Sequence, residues 1–331
     1  MHIMLVNNAQ IPVFAYGGTE RVVWDLGLAL VELGHEVTFL VPAGSSCSFA
    51  NVQFIDPDKS WQAQIPSHVD VVHFQFHPGS EPKQPYLVTE HGNGQVGQVG
   101  QALLKNTVFV SKNHALRHGS DQYVLNGLDW RNYAAPNWDL PRTHTHFLGK
   151  AAWRVKNVRG AIDVAKHANT TIAVLGGNRF NFKRGIRLTF TQRATFYGMV
   201  GGPQKFDLLN RSNGLIFPVT WHEPFGLAVI ESLFYGCPVF ATPYGALPEI
   251  VTPSVGVLCT KAEELAVRLQ NHLQDEAFSF ESCHRRAVDA FNSHRMATGY
   301  ETVYRRVASG LVLHKAPPTG LAANADKLPW K

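Results

Sequence analysis

The sequence predicts an α/β protein with two doubly wound domains. Its 331 residues are more than twice the ~150 that are usual for one domain. In both halves, short apolar runs of strand length alternate with patterns of helical period, as expected for parallel sheets covered by helices. The halves also differ in charge. Residues 1–140 contain 7 Lys and Arg against 12 Asp and Glu, and residues 141–331 contain 23 against 13. This asymmetry predicts that the second domain holds most of an anionic ligand.

In the first half, predicted strands alternate with a helical pattern. Residues 3–6 form an apolar run that predicts a strand, and a glycine-containing loop follows it. Apolar residues between positions 22 and 33 recur at helical spacing, and Gly34 ends that helix. Further strands are predicted at 37–41, 71–74, 86–89 and 107–110. They complete an open parallel sheet.

The second half repeats this pattern. Its predicted strands are 171–175, 194–197, 214–218 and 238–242, with a helix at 157–167. Residues 132–144 are rich in Pro, Asn and Trp, so we place the linker there. The predicted limits are a first domain at 1–142, a second at 143–292, a helix at 293–315 that returns toward the first domain, and an extended tail at 316–331.

The composition excludes several classes of protein. With 45% hydrophobic and 17% charged residues, the chain is typical of soluble globular proteins. It contains no apolar run of the ~18 residues that a membrane span needs, and no secretory leader is recognisable at its start. The four cysteines are widely spaced without a metal-ligand pattern, so we expect free thiols in a reducing cytoplasm and no zinc site. They are Cys47, Cys237, Cys259 and Cys283.

The residues that best indicate a binding site lie in the segment 216–231. A strand ending at Phe217 precedes a short loop, and a helix is expected to begin near Phe225 and to end at Gly236. Gly226 leaves the first turn open to a ligand because it has no side chain. The amides of Phe225, Gly226 and Leu227 therefore form a predicted anion site at the positive end of the helix.

Two carboxylates flank this anion site. Glu223 lies in the loop and Glu231 lies eight positions later in the helix. Carboxylates only accept hydrogen bonds, so they suit the vicinal hydroxyls of a sugar and of a ribose. Diphosphate-binding amides between two such groups are the arrangement expected for a nucleotide-sugar site.

These residues carry a family resemblance. The chain resembles the retaining glycosyltransferases of glycosyltransferase family 4, whose GT-B fold has two Rossmann-like doubly wound domains facing an interdomain cleft. Their E-x7-E hallmark is matched by Glu223-Pro224-Phe225-Gly226-Leu227-Ala228-Val229-Ile230-Glu231. The pair Gly17-Gly18 looks like the family's glycine pair at the cleft, and His91 looks like its strand-end histidine. Similar segments at 126–129, 233–239, 245–251 and 300–304 extend the resemblance over nearly the whole chain.

The resemblance implies residue roles. The expected catalytic residues are His91, Glu223, Lys150 and Lys156. The expected donor-binding residues are Gly17, Gly18, Lys150, Lys156, Glu223, Pro224, Phe225, Gly226, Leu227 and Glu231. Where the family usually has Arg and Lys five positions apart after a glycine, this chain has Lys150 after Gly149 and then Lys156, six positions on. The first lysine is a point charge without the bidentate fork of arginine.

The resemblance also implies a reaction. A sugar moves from a nucleoside-diphosphate sugar, UDP- or GDP-linked, to a hydroxyl acceptor with retention of the anomeric configuration. Attack occurs on the face of the departing diphosphate, whose β-phosphate takes the acceptor proton. Neither a cofactor nor a metal is expected, since lysines and a helix end hold the diphosphate. The DxD-like Asp56-Pro57-Asp58 is predicted to be a turn with two solvated carboxylates.

Three interpretations of function stay open at the level of the sequence. The first is a transferase for cell-surface polysaccharide, lipopolysaccharide or glycolipid synthesis, with a carbohydrate or lipid-linked acceptor and no nucleic-acid partner. We expect it in the cytoplasm, and the net charge of +5 permits peripheral contact with the anionic inner membrane face. The second is a nucleotide-sugar-binding protein without turnover, and the third is a sugar-nucleotide epimerase of related fold. Release of free nucleoside diphosphate would distinguish the first from the second.

Overall fold

The computed structural model describes residues 1–13, 17–94, 100–182, 187–321 and 327–331. The chain divides into two compact units. One comprises Met1–Trp130 with Phe291–Ala323, and the other comprises Arg131–Ala290 with Asn324–Lys331. Each unit has a six-stranded parallel sheet with helices, which confirms the predicted fold class of two Rossmann-like α/β domains.

The first unit has the strand order β3-β2-β1-β4-β5-β6, the order of a doubly wound nucleotide-binding sheet. Its strands are β1 His2–Val6, β2 Glu36–Val41, β3 Asn51–Phe54, β4 Val71–Phe74, β5 Tyr86–Glu90 and β6 Thr107–Phe109. Its helices are α1 Thr19–Glu32, α2 Trp61–Gln64, α3 Lys112–Arg117 and α10 Ser293–Ala308. The central strands β1 and β4 are wholly buried, as expected of a sheet covered on both faces.

The second unit has the order β11-β8-β7-β12-β13-β14 and a separate hairpin of β9 and β10. Its strands are β7 His144–Leu148, β8 Ile172–Leu175, β9 Phe180–Asn181, β10 Arg187–Leu188, β11 Ala194–Phe196, β12 Ser212–Phe217, β13 Val239–Ala241 and β14 Gly256–Leu258. Its helices are α4 Val158–His167, α5 Gly202–Asn210, α6 Leu227–Phe234, α7 Leu247–Ile250, α8 Ala262–Asp275 and α9 Phe280–Ala290. The β7 and β12 strands, at the centre of this sheet, lead into the loops that carry the predicted site.

Strand β7 was not predicted, because its first three residues are polar and leave only a two-residue apolar run. The buried His146 ring is accommodated by two hydroxyls, those of Ser212 at 2.6 Å and Ser232 at 2.8 Å. Burial lowers the pKa of His146 to about 3, so the ring is neutral at pH 7 and can donate from one nitrogen and accept at the other. A polar residue thus sits at the centre of the sheet at little cost.

Residues 131–142 make their contacts in the second unit, although the sequence assigns them to the first domain. The Tyr133 hydroxyl donates to Glu231, and the Arg142 guanidinium donates to the Tyr235 carbonyl at 2.8 Å. Side-chain contacts of this kind leave no signal in a Pro- and Asn-rich segment. The predicted tail also divides, because Thr319 pairs with His118 in the first unit while Leu328 pairs with Thr220 in the second. Residues 322–326 of that tail lie outside the described residues.

Two further findings bear on function. Within the described ranges, no helix combines the length and apolar character needed to cross a bilayer. In the same part of the chain, no three His, Cys, Asp or Glu side chains come together as a metal-binding group would require.

Candidate functional site

Glu223 is fixed by a tight backbone contact. The loop after β12 brings it beside Gly245, and the Ala246 amide donates to the Glu223 carbonyl at 2.8 Å. A Cβ at Gly245 would lie 2.2 Å from that carbonyl oxygen, and the Gly245 φ is +69°. Only glycine permits both this approach and this conformation. The sequence between α6 and α7 therefore determines where the Glu223 carboxylate stands.

The helix after this loop begins later than the sequence predicts. Gly226 has φ 110° and ψ 59°, so it is a left-handed cap, and α6 starts at Leu227 and ends at Phe234. Phe225 is therefore outside the helix, and the helix ends before Gly236 because that residue has φ +73°. The first two amides of α6 have no partner within the helix. They supply the partial positive charge on which the predicted anion site depends.

The predicted Lys156 and Glu223 are brought into direct contact. The Lys156 ammonium donates to Glu223 Oε2 at 2.6 Å, and the Trp221 indole donates to the same oxygen at 2.8 Å. Among the described residues, no donor reaches the second carboxylate oxygen, Oε1. That oxygen can accept a hydroxyl of a ligand without giving up an existing bond.

The contacts of the next residue, Asn157, also help to fix the position of Lys156. Asn157, which follows it, adopts a left-handed conformation and caps α4 by accepting from the Gly160 amide at 3.1 Å. Its side-chain amide also donates to the Pro218 carbonyl at 2.9 Å, which ties the start of α4 to the end of β12. The Lys156–Glu223 pair is therefore held by its neighbours as well as by its own charge.

Lys150 and Lys156 each lie near the ring of one of two tryptophans that contact each other. The Trp153 and Trp221 rings meet edge to face with centroids 6.0 Å apart. The Lys150 ammonium lies 5.3 Å from the Trp153 ring, and that of Lys156 lies 4.8 Å from the Trp221 ring. Each indole face favours the cation above it. Lys150 is exposed, which leaves its ammonium accessible to an anionic ligand.

Glu231 has a lysine partner that sequence reasoning missed. The Lys205 ammonium donates to Glu231 Oε1 at 2.6 Å, and the Tyr133 hydroxyl donates to the same oxygen at 2.9 Å. The Lys205 and Glu231 side chains are only 8% and 4% exposed. The two glutamates of the motif thus have matching environments, in which each carboxylate is neutralised by a lysine and also bonded to an aromatic donor.

The sequence does contain a signal for Lys205. Within α5 it lies three and four positions before the buried Leu208 and Leu209, so it occupies the apolar face of that helix. A lysine on a buried face requires an acidic partner. No comparable signal marks Tyr133, because its segment has no periodicity.

A cationic cavity lies along the same loop as the two predicted lysines. It has a volume of about 350 Å³ and is lined in part by four basic side chains and the amide of Asn181. No carboxylate of the described residues pairs with any of the four cations. Crowding of like charge is unfavourable without an anion between the charges. The cations are Arg154, Arg159, Arg187 and Lys327.

His91 lies in the first unit, directly after β5. Its Nε2 is 2.8 Å from Gln75 Oε1, and Gln75 follows β4, so both residues stand at the carboxyl edge of the sheet. Burial lowers the pKa of His91 to about 4, so the ring is neutral at pH 7. Since Gln75 Oε1 only accepts, His91 Nε2 carries the proton. The neighbouring Glu90, which the sequence analysis did not select, has a pKa that burial raises to about 7.

The other predicted residues of the first unit lie in two loops. Gly17 and Gly18 immediately precede α1, with Gly18 as its cap, and Arg21 donates to the Gly17 carbonyl at 2.7 Å. Asp56 and Asp58 form a turn in which the Asp58 amide donates to Asp56 Oδ1 at 3.0 Å, and Lys59 pairs with Asp56 at 2.9 Å. That geometry is the solvated turn that the sequence predicts.

Comparison with known proteins gives a family match within the second unit. Residues 136–290, which lie within the second unit, match the family model of Glycosyl transferases group 1. A curated relative from Klebsiella pneumoniae, described as an uncharacterized 41.2 kDa protein in cps region, is 24% identical over 154 residues. That match spans 45% of this chain and 41% of the relative, less than half of either protein.

Solved structures confirm the GT-B fold over nearly the whole chain. AviGT4, a glycosyltransferase involved in avilamycin A biosynthesis, superposes with a TM-score of 0.76 at 22% identity, covering 94% of this chain and 99% of its own. Sucrose-phosphate synthase from Thermosynechococcus elongatus superposes with a TM-score of 0.69 at 19% identity, and the match covers 93% of this chain and 99% of the synthase chain. HepE from Anabaena, solved with UDP-glucose, superposes with a TM-score of 0.66 at 15% identity, and the match covers 94% of this chain and 99% of the HepE chain.

Proposed function

We propose that the protein is a retaining glycosyltransferase that moves a sugar from a nucleoside-diphosphate sugar, UDP- or GDP-linked, to a hydroxyl acceptor. The observation that carries the proposal is the pair of lysine-neutralised glutamates, Glu223 and Glu231, on either side of the α6 start. The match of residues 136–290 to the Glycosyl transferases group 1 family model supports it. So does the likeness to HepE, which was solved with UDP-glucose.

The two glutamates bind different parts of the donor. Glu223 accepts a hydroxyl of the transferred sugar at Oε1, since its other oxygen is occupied by Lys156 and Trp221. Glu231 accepts from the ribose. Lys156 has three N–H donors, so it can keep its bond to Glu223 while donating to the diphosphate together with Lys150 and the first amides of α6.

Transfer proceeds on the face from which the diphosphate leaves. The acceptor oxygen forms a bond to the anomeric carbon, the bond from that carbon to the β-phosphate oxygen breaks, and the β-phosphate takes the acceptor proton. The lysines and the helix start stabilise the charge that develops on the diphosphate, so neither a metal nor a cofactor is needed. The proposed acceptor is a hydroxyl of a carbohydrate or glycolipid of the cell surface.

The proposal is tested in two stages. The first is a thermal-shift screen with UDP, GDP and ADP, in which the correct nucleotide at about 100 times its Kd adds about 2.7 kcal/mol of stability. The second incubates the matching nucleotide sugars with carbohydrate and glycolipid hydroxyls, measures free nucleoside diphosphate, and assigns the new linkage by NMR. Binding without release would indicate a nucleotide-sugar-binding protein. An altered nucleotide sugar without release would indicate an epimerase.

A further inference from the structure

The cationic cavity beside α4 contains one guanidinium that the fold buries. Arg187, from β10, lines the cavity and is only 7% exposed. Its terminal nitrogens donate to the Thr189 hydroxyl at 3.0 Å and to the Asn178 carbonyl at 2.8 Å. Both partners are neutral, and the buried Nε has no hydrogen-bond partner among the described residues. The charge of Arg187 is therefore held in place by groups that do not neutralise it.

A second guanidinium lies close to the first. Arg159, in the first turn of α4, lines the same cavity. Burial and the charge of Arg159 both lower the pKa of Arg187, so the fold brings two like charges together at this place. An anion between the two guanidinium groups would offset that repulsion.

The remaining walls add positive potential. Arg154 and Lys327 line the cavity and are exposed, and across the ranges that the structure describes neither pairs with a carboxylate. Asn157 and Val158, at the start of the ten-residue helix α4, line it too. The first amides of a helix have no partner within it and carry partial positive charge. Such helix starts bind phosphate groups.

The charge and the size of the cavity indicate the class of ligand. A phosphate monoester carries about two negative charges at pH 7 and matches the paired N–H donors of arginine, whereas a carboxylate carries one charge. Four cations and a helix start therefore favour phosphate. The volume of about 350 Å³ lies in the range of small-molecule sites. Apolar walls from Ala151, Ala152 and Trp153 leave room for a small molecule that carries the phosphate.

The cavity is separate from the proposed donor contacts. The described residues that line it include neither Lys150 nor Lys156 nor any residue of α6. The Lys156 ammonium donates to Glu223, whereas Arg154, two positions earlier, lines the cavity. The loop between β7 and α4 thus presents its cations at two different places.

We propose that this cavity binds a phosphate group, either as free phosphate or as the phosphate ester of a small molecule. Arg187, Arg159 and the first amides of α4 bind the phosphate oxygens, and Arg154 and Lys327 complete the balance of charge. The proposal does not depend on the proposed sugar transfer.

The experiment is isothermal titration calorimetry of the full chain with three probes, in the absence of any nucleotide sugar. The probes are inorganic phosphate, glucose 6-phosphate and glucuronate, which has a carboxylate in place of the phosphate. The test variant is Arg154→Gln/Arg159→Gln, which alters two exposed side chains. Arg187 is kept because its hydrogen bonds to Thr189 and Asn178 support the hairpin.

Two controls accompany the test variant. The matched control, Arg268→Gln/Arg285→Gln, removes two exposed cations of the second unit that do not line the cavity. The other control, Lys150→Gln, alters the proposed donor site. Circular dichroism verifies that all three variants fold.

We expect the wild type and both controls to bind at least one phosphate probe with a Kd below about 1 mM, and to bind glucuronate at least about tenfold more weakly. The test variant loses about tenfold or more in affinity for phosphate, because it removes two charged hydrogen-bond donors. Tighter binding of glucose 6-phosphate than of inorganic phosphate identifies the ligand as an ester. Equal or weaker binding of glucose 6-phosphate identifies it as free phosphate.

Several outcomes would overturn the proposal. One is wild-type binding of both phosphate probes that is weaker than this limit, and another is equal affinity in the test variant. Glucuronate binding as tight as phosphate binding would show a site without selectivity for phosphate. A loss in Lys150→Gln as large as in the test variant would place the phosphate in the donor site, and an equal loss in the matched control would show attraction by overall charge alone.

Discussion

The buried Lys205–Glu231 pair predicts a large, non-additive response to mutation. Lys205→Met leaves the Glu231 carboxylate, 4% exposed, without its cation, and Glu231→Gln leaves an ammonium that is 8% exposed without its anion. Removing one member of a buried pair costs about 3–5 kcal/mol. The double variant buries no charge, and the amide oxygen that replaces the carboxylate can still accept from Tyr133. We expect it to lose at least about 2 kcal/mol less than the sum of the singles.

The assay is urea denaturation of the four proteins, with hydrogen exchange of the α6 amides as a local readout. The matched control is the exposed Asp207–Arg211 pair, which spans the end of the same helix, α5, at 3.0 Å. Asp207→Asn and Arg211→Met should each cost within about 1 kcal/mol. If the losses from Lys205→Met and Glu231→Gln add to within about 0.5 kcal/mol in the double variant, the two charges are not coupled and the reasoning is wrong.

The site and its surroundings support four further predictions. Glu231→Ala weakens binding of the free nucleotide by about 1–3 kcal/mol, whereas Glu223→Ala spares it and impairs binding of the whole donor. Calorimetry with both ligands tests this, and equal losses would refute the division of roles. His91→Ala lowers turnover by about 10²–10³-fold with little change in nucleotide affinity, and a steady-state rate within a few-fold of wild type would assign His91 to structure. Transfer persists in excess EDTA, and activity that disappears and returns with Mn²⁺ or Mg²⁺ would contradict a metal-independent site. Burial lowers the pKa of His91 to about 4, and those of His114 and His146 to about 3. The unfolded chain therefore takes up protons first, and each histidine removes about 2 kcal/mol of stability between pH 7 and pH 5. Unfolding free energies that are equal at the two pH values would refute this.

Elements with a strong apolar period are predictable from this sequence. The β1 and β4 strands and α1 lie where their patterns place them, because their burial follows from the residues alone. The β7 strand escapes prediction because His146 is buried through bonds to Ser212 and Ser232, which are distant in sequence. The start of α6 shifts because Gly226 adopts a left-handed conformation, with φ 110° and ψ 59°, which the apolar pattern of the helix does not specify.

The candidate site is likewise predictable only in part from the sequence. The residue types and spacing of Glu223 and Glu231 are visible in the sequence, and so is the lysine after Gly149. Their pairing is not, because Lys156 meets Glu223 and Lys205 meets Glu231 only through tertiary contacts. The neutral state of His91 likewise depends on its burial beside Gln75.

The discontinuity of the second unit has a consequence for synthesis and for dissection of the protein. Residues 327–331 complete that unit, where the Leu328 amide donates to the Thr220 carbonyl three residues before Glu223, and Lys327 lines the cationic cavity. On the ribosome these residues emerge only after α10, which belongs to the first unit. The Glu223 loop therefore receives its last backbone partner after translation of the first unit is finished. A fragment of residues 131–290 would lack this segment, whereas joining 327–331 to it through a flexible linker would restore both contacts.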